Sequence, residues 1–208
     1  MPDQAPATQI AVTKNNPCPF LRALVANGYV GGHIVPLGTL TEDIGLASGK
    51  TGIGLIRAKV LTYGIAMIAN GHPLRSAMSG AVLDELRNGP LDKHGAGSRI
   101  LEVNGQVDLE QIERLASFGR EYTDPDGGGT ERGLNAQEIK TFMAENLKRD
   151  GDKARWTYPI MMKGEWPVLL DILGKGDGET RYLSVADVRT LFVERKLPKR
   201  ITDRLPAP

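Results

Sequence analysis

Cys18 is the only thiol in this 208-residue chain, and it stands between Pro17 and Pro19 at the head of "NPCPFLRALVANGYV". A lone cysteine allows no internal disulfide and no zinc site built on two thiolates. Two readings of it stay open. A buried thiol is commonly a small hydrophobe. At the N-terminal edge of a helix, however, backbone N–H groups and the helix dipole favour the thiolate, and a soft thiolate held this way is a ligand that haem iron accepts. The flanking prolines lack N–H groups and fix φ, so they aim the sulfur without competing for it. Glu165, in "MMKGEWPVLL", is equally two-sided. It is either an exposed carboxylate at a helix start, where the dipole favours it, or a desolvated acid/base in an apolar pocket. Met161, Met162, Trp166 and Leu169 would form the wall of that pocket, or else simply belong to the core.

The remaining candidate motifs are weaker. His33, His72 and His94 have no ligand-like spacing and sit beside glycine or proline, as loop residues do. "GLASGKTG" has Ile44 where a phosphate-binding loop needs its first glycine, and no strand precedes it. "DPDGGGTERGLN" puts Asp124, Asp126 and Gly129 at calcium-loop positions one, three and six. Position twelve is Asn135 where a bidentate glutamate belongs, so a glycine-rich turn is the expected structure.

Short helices must position these groups. Pro19 and Gly28 punctuate a helix carrying Leu21, Leu24 and Val25 on one face. Thr39 and Glu42 suggest a capping box. "GIGLIRAKVLTYGIAMIANGHP" reads as a helix stopped at Asn70-Gly71, and a further helix is expected around Leu74 to Leu86. Capping signals at Asp108 and Asn135 start helices near 109–118 and 136–148. "GEWPVLLDIL" and "SVADVRTLFVERKLP" also look helical, with Pro167 expected in a first turn. The best strand signal is a hairpin of Ile100–Val103 with Gln106–Val107 around Asn104-Gly105. The expected fold is all-α: an extended arm over 1–14, one helical domain over 15–203 with that small hairpin, and a tail over 204–208.

With those residues in view, "NPCPFLRALVANGYV" resembles the proximal loop of the haem-thiolate peroxidases, the chloroperoxidase and unspecific peroxygenase family. Pro17, Cys18, Pro19, Leu21, Leu24, Gly28 and Tyr29 carry the match. "KGEWPVLL" is similar to the family's distal segment, and "LSVADVRTLFVERKLPKRI" to its closing helix through Phe192, Leu197 and Pro198. The resemblance implies a haem b enclosed between a Cys-bearing proximal helix and a Glu-bearing distal helix. It implies Cys18 as axial ligand of the iron, Glu165 as acid/base and His94 as its partner. Hydrogen peroxide and a small organic molecule would be the substrates. The family's Glu-His-Asp-x-Ser segment corresponds here to Lys93-His94-Gly95-Ala96-Gly97. The oxygen donors are gone, so the resemblance does not extend to a magnesium or manganese ion beside a propionate. Lys93 is expected to neutralise that propionate directly. Two alternatives stand beside this reading: a haem protein of the same fold with another activity, and a non-enzymatic helical or calcium-binding module.

The bulk composition is ordinary for a globular chain, with 40% apolar and 25% charged residues and a formal net charge of +1. Nothing in that balance draws the whole molecule to nucleic acid or to a membrane, so neither is an expected partner. No uninterrupted apolar run approaches the roughly 20 residues of a membrane span. The first 16 residues lack an apolar signal-peptide region, which leaves an intracellular protein or the mature form of a secreted one.

Overall fold

The structure is a computed structural model that describes residues 11–90, 92, 96–151 and 158–208, with the side chains of residues 88 and 158–165 outside the description. Helix α1 (Pro19–Ala26) has a proline in its first turn, where the missing N–H leaves no bond unmade. Strand β1 (Ile34–Val35) follows, then α2 (Leu37–Ala47) and α3 (Gly52–Ala69). Helix α2 starts two residues before Thr39, with Pro36 as its cap, so Thr39 is a helical residue and not the head of a capping box.

The single helix expected around 74–86 is instead three pieces. Helix α4 (Pro73–Ser79) stops at Gly80, strand β2 (Ala81–Val82) pairs antiparallel with β1, and a 3-10 segment (Leu83–Asn88) continues. Gly80 forces the break. Its φ is +98°, and a Cβ there would stand 2.4 Å from the Val35 carbonyl oxygen. The hairpin expected around Asn104-Gly105 is present in minimal form. Leu101 bridges Val107, and the Glu102 N–H donates to Gln106 O at 2.9 Å.

The second half contains the largest departure from an all-α fold. Helix α5 (Leu109–Ser117) leads to strands β3 (Arg120–Thr123) and β4 (Thr130–Asn135), and then to α6 (Ala136–Asp150). Helix α7 (Tyr158–Leu173) leads through a loop to β5 (Tyr182–Ser184) and α8 (Val185–Arg189), which continues as a π-helical turn to Glu194. A last turn, α9 (Lys199–Thr202), precedes the C-terminus. These are two helix–loop–helix units joined through their loops, in a sheet of order β3-β4-β5 with Leu134 opposite Leu183. The molecule is therefore mostly helical with two small antiparallel sheets.

Two caps come out as the residue types demand. Asp108 accepts from the Glu110 N–H, and Asn135 with Glu138 forms a complete capping box. Pro167 does not. It lies inside α7, where it removes one helical bond, and apolar packing of the following Leu169, Leu170 and Leu173 sustains the helix past it.

One hydrophobic cluster joins the whole chain. Leu24 and Val25 of α1, Leu115 of α5, Phe142 of α6, Trp166 and Leu173 of α7, Leu183 of β5 and Leu191 all belong to it. The last residues pack back onto the body. Leu205 is buried, and Arg204 donates to the Ala47 carbonyl at 3.1 Å.

Candidate functional site at the Cys18 helix

Cys18 is the N-cap of α1, in extended conformation at φ −85° and ψ 113°, and it is half-buried. Its N–H donates to Asn16 Oδ1 at 3.0 Å, a short turn that fixes the entry into the helix. Its side chain makes no capping bond to the first turn, so the sulfur is not used as a cap. Asn16 is fully buried, and its Nδ2 has no hydrogen-bond partner among the described residues, an arrangement that costs about 1–3 kcal/mol.

One turn on from the thiol lies Arg22, 3% exposed in the middle of an apolar helix. Its N–H donates to the Cys18 carbonyl at 3.0 Å. Its guanidinium donates to Thr13 O (3.1 Å), Asn16 O (3.4 Å) and Gly105 O (3.3 Å). Burial lowers the Arg22 pKa to about 10, the positive charges of Arg195 and Arg87 push it the same way, and Cys18 opposes them. Arg22 still carries its charge at neutral pH.

Arginines also assemble the surroundings. Arg87, itself buried, donates to Glu102 O at 2.8 Å and pairs with Asp92 at 3.5 Å. Arg22 and Arg87 thus grip the 101–107 hairpin from one side. A cleft of about 800 Å³ opens there, lined by cationic Lys14, Arg87 and Arg99 along with Leu101, Glu102 and Asp108. Cys18 is not in the wall of this cleft, which begins at Lys14 and Asn15. On its far side Asp150 accepts from the Gly97 N–H at 2.6 Å and from Arg99 at 3.1 Å.

Lys93 and His94 lie outside the described residues. Their described flanks are pinned, Asp92 by Arg87 and Gly97 by Asp150. Glu165 falls on α7, in its helical stretch, with its side chain outside the description, as are those of Met161 and Met162. Trp166 and Leu169 are 1% and 4% exposed and belong to the core. The Trp166 ring packs edge-on against Phe142 at 5.1 Å, so any pocket wall they form is continuous with that core. The Trp166 indole Nε1 has no hydrogen-bond partner.

The calcium alternative meets a built-in cation. Segment 124–135 folds as the β3–β4 turn followed by β4, and Lys175 reaches into it from the α7–β5 loop. Its Nζ stands 2.8 Å from Asp124, 2.7 Å from Glu131 and 3.9 Å from Asp126. Glu131 also accepts from Tyr182 (2.7 Å) and Ser184 (2.6 Å). Burial alone would raise the Glu131 carboxyl, but these donors carry it below its ordinary value, and the hydrogen bond from Lys175 lowers Asp124 likewise. A divalent ion would have to displace an ammonium already held by two carboxylates.

Sequence reasoning passed over Arg22, Asn16 and Lys175. Arg22 did carry a signal, a charge four residues after the thiol inside the apolar run "FLRALVA". Asp43 carried less. It is buried on α2, and burial, reinforced by Glu42, raises its carboxyl.

No protein-family model, curated protein or solved structure matches this chain. The case for a haem therefore stands on the residues themselves. Among the described residues no three His, Cys, Asp or Glu side chains converge as a metal-binding group. Haem iron needs only one protein ligand, which a thiol within reach of the Arg22 charge could supply. In the neighbouring cleft Arg87 is paired with Asp92 and Arg99 with Asp150, which leaves Lys14 as its cation without an ion pair among the described residues.

Proposed function

We propose that this protein is a haem-thiolate peroxidase or peroxygenase. The observation that carries the reading is the place of Cys18, half-buried at the N-cap of α1, within electrostatic reach of the buried Arg22 charge. Thiolate-ligated haem would supply the redox chemistry with peroxide. Cys18 would ligate through Sγ, with Arg22 and the α1 dipole supporting its negative charge. Asn16 holds the backbone N–H of Cys18, which fixes the entry of the chain into α1.

Glu165 would take a proton from one peroxide oxygen and return it to the other, so that water leaves. One carboxylate serving as base and then acid works best with a pKa near the working pH. His94 would orient that carboxylate, and Lys93 would neutralise a propionate. A small organic substrate would be oxidised or oxygenated. Haem b is the implied cofactor, and no second metal is needed.

The test is a titration with hemin. Wild type should take up about one equivalent, and Cys18→Ala should lose tight uptake while keeping its far-ultraviolet circular dichroism. Glu165→Gln should bind haem as wild type does and lose peroxide-dependent oxidation by roughly 100-fold or more. Equal haem uptake by wild type and Cys18→Ala would end the proposal.

A further inference from the structure

Helix α3 presents an apolar face that is exposed among the described residues. Ile53 (71% exposed), Ile56 (62%), Val60 (67%) and Leu61 (56%) share it with Ile68, and Leu74 (82%) and Met78 (89%) extend it onto α4. At 100° per residue the α3 positions fall within one arc, and the only charge in that arc is Arg57. Contiguous exposed apolar surface of this size marks a docking site. The opposite side of α3 is anchored. Gly45 of α2 packs closely on Leu55 and Lys59, and Ala66 and Ala69 are buried. Asn70, at the end of α3, exchanges two hydrogen bonds with the Val82 backbone (2.7 and 3.1 Å).

We infer that this face rests on an anionic membrane surface, with α3 lying in the interface plane. Three observations favour lipid over other occupants. First, α3 is 18 residues long with a mean hydropathy of 1.4 and only 11% of it buried, a lipid-compatible composition. Second, no Asp or Glu occurs between Asp43 and Asp84, whereas Lys50, Arg57, Lys59 and Arg75 do. Lys59 pairs with Glu42, Lys50 with Asp171 and Arg75 with Glu85, whereas Arg57 makes no ion pair among the described residues. Exposed pairs of this kind are weak and exchange readily for lipid phosphate.

Third, the face is ill suited to a second copy of itself. A two-fold pairing centred on the middle of the face would bring Arg57 toward its own counterpart, with no ion-pair partner among the described residues. To span the bilayer, α3 would have to leave α2 and break the Asn70–Val82 bonds, which an interfacial position keeps. The exposed Tyr63 and Ile65 flank the same face, and a helix held flat with such a face and cations at its edge would seat between headgroups and acyl chains. This inference departs from the composition-based expectation of no membrane partner and rests on no part of the haem reading.

The experiment is co-sedimentation of the full chain with vesicles of phosphatidylcholine alone and with added phosphatidylglycerol. Binding is expected to the anionic vesicles and to weaken with salt. Arg57→Glu should lower the partition by about fivefold or more, the loss of one basic contact and the gain of a repulsive one. Ile56→Glu with Val60→Glu should abolish binding while the melting temperature stays at the wild-type value. Failure of wild type to bind anionic vesicles would overturn the inference, as would undiminished binding by both variants. Sedimentation of wild type as a dimer that the Ile56/Val60 variant dissolves, with no vesicle uptake, would assign the face to a second copy instead.

Discussion

A buried arginine beside a thiol is costly unless something uses the charge. Arg22 has three backbone carbonyls as hydrogen-bond partners and two other arginines within electrostatic reach, so the chain tolerates a crowded cationic site at the α1 N-terminus. Thiolate, not thiol, is the reactive form of cysteine. Arg22→Met should therefore slow alkylation of Cys18 at neutral pH several-fold, whereas Arg22→Lys should restore most of the rate. Equal rates in all three proteins would separate Arg22 from the thiol. Lys175 offers a second residue-scale prediction. Asp124 and Glu131 have lowered pKa values, so their contribution is present above the ordinary carboxylate range and is lost as pH falls through the folded values. Lys175→Met should melt well below wild type at pH 7, and the gap should close as the pH is taken below about 4. A gap that does not change with pH would mean that the lysine acts through packing alone. Neither network was legible in the sequence. Cys18 itself was, because two prolines and a helix signal surround it. Lys175 meets Asp124 across 51 positions, which no local pattern reveals.

The helices were legible wherever a cap and an apolar stripe agreed. Asp108 and Asn135 start α5 and α6 as their residue types require. The three-stranded sheet was not legible. Its strands are three to six residues long, most of β3 is exposed, and the polar residues of β3 and of the first half of β4 read as loop. Gly133 is the residue that makes this sheet possible. A Cβ there would stand 2.3 Å from the Tyr182 ring, which stacks on Tyr122 at 4.3 Å. The break between α4 and β2 was hidden for a related reason. Gly80 makes it, and Asn70, distant in sequence, holds the strand beyond it by supplying the Val82 backbone with both a donor and an acceptor. Asn70→Ala would leave those buried groups unpaired at about 1–3 kcal/mol each. Denaturant unfolding should show that loss. A variant as stable as wild type would mean that water replaces the amide.

Across the whole molecule, the Cys18 end and the helix–loop–helix half behave as one body because α1 is tied to the C-terminal segment. The Asn27 amide donates to both Ala23 O and Arg195 O at 2.7 Å, 168 positions apart in the second case, and Leu24 and Leu191 share one core. Thermal unfolding should accordingly be a single transition, coincident by circular dichroism and by Trp emission. Two separated transitions would show that the halves are independent. This coupling matters for the proposed chemistry, which needs a ligand from α1 and an acid/base from α7 to keep a constant separation. The most direct test of the account is the absorption spectrum of the haem-reconstituted protein in its reduced, carbon-monoxide-bound form. A strongly red-shifted Soret band that disappears in Cys18→Ser is the predicted result. A band at the position of ordinary histidine-ligated haem, unchanged in Cys18→Ser, would contradict it.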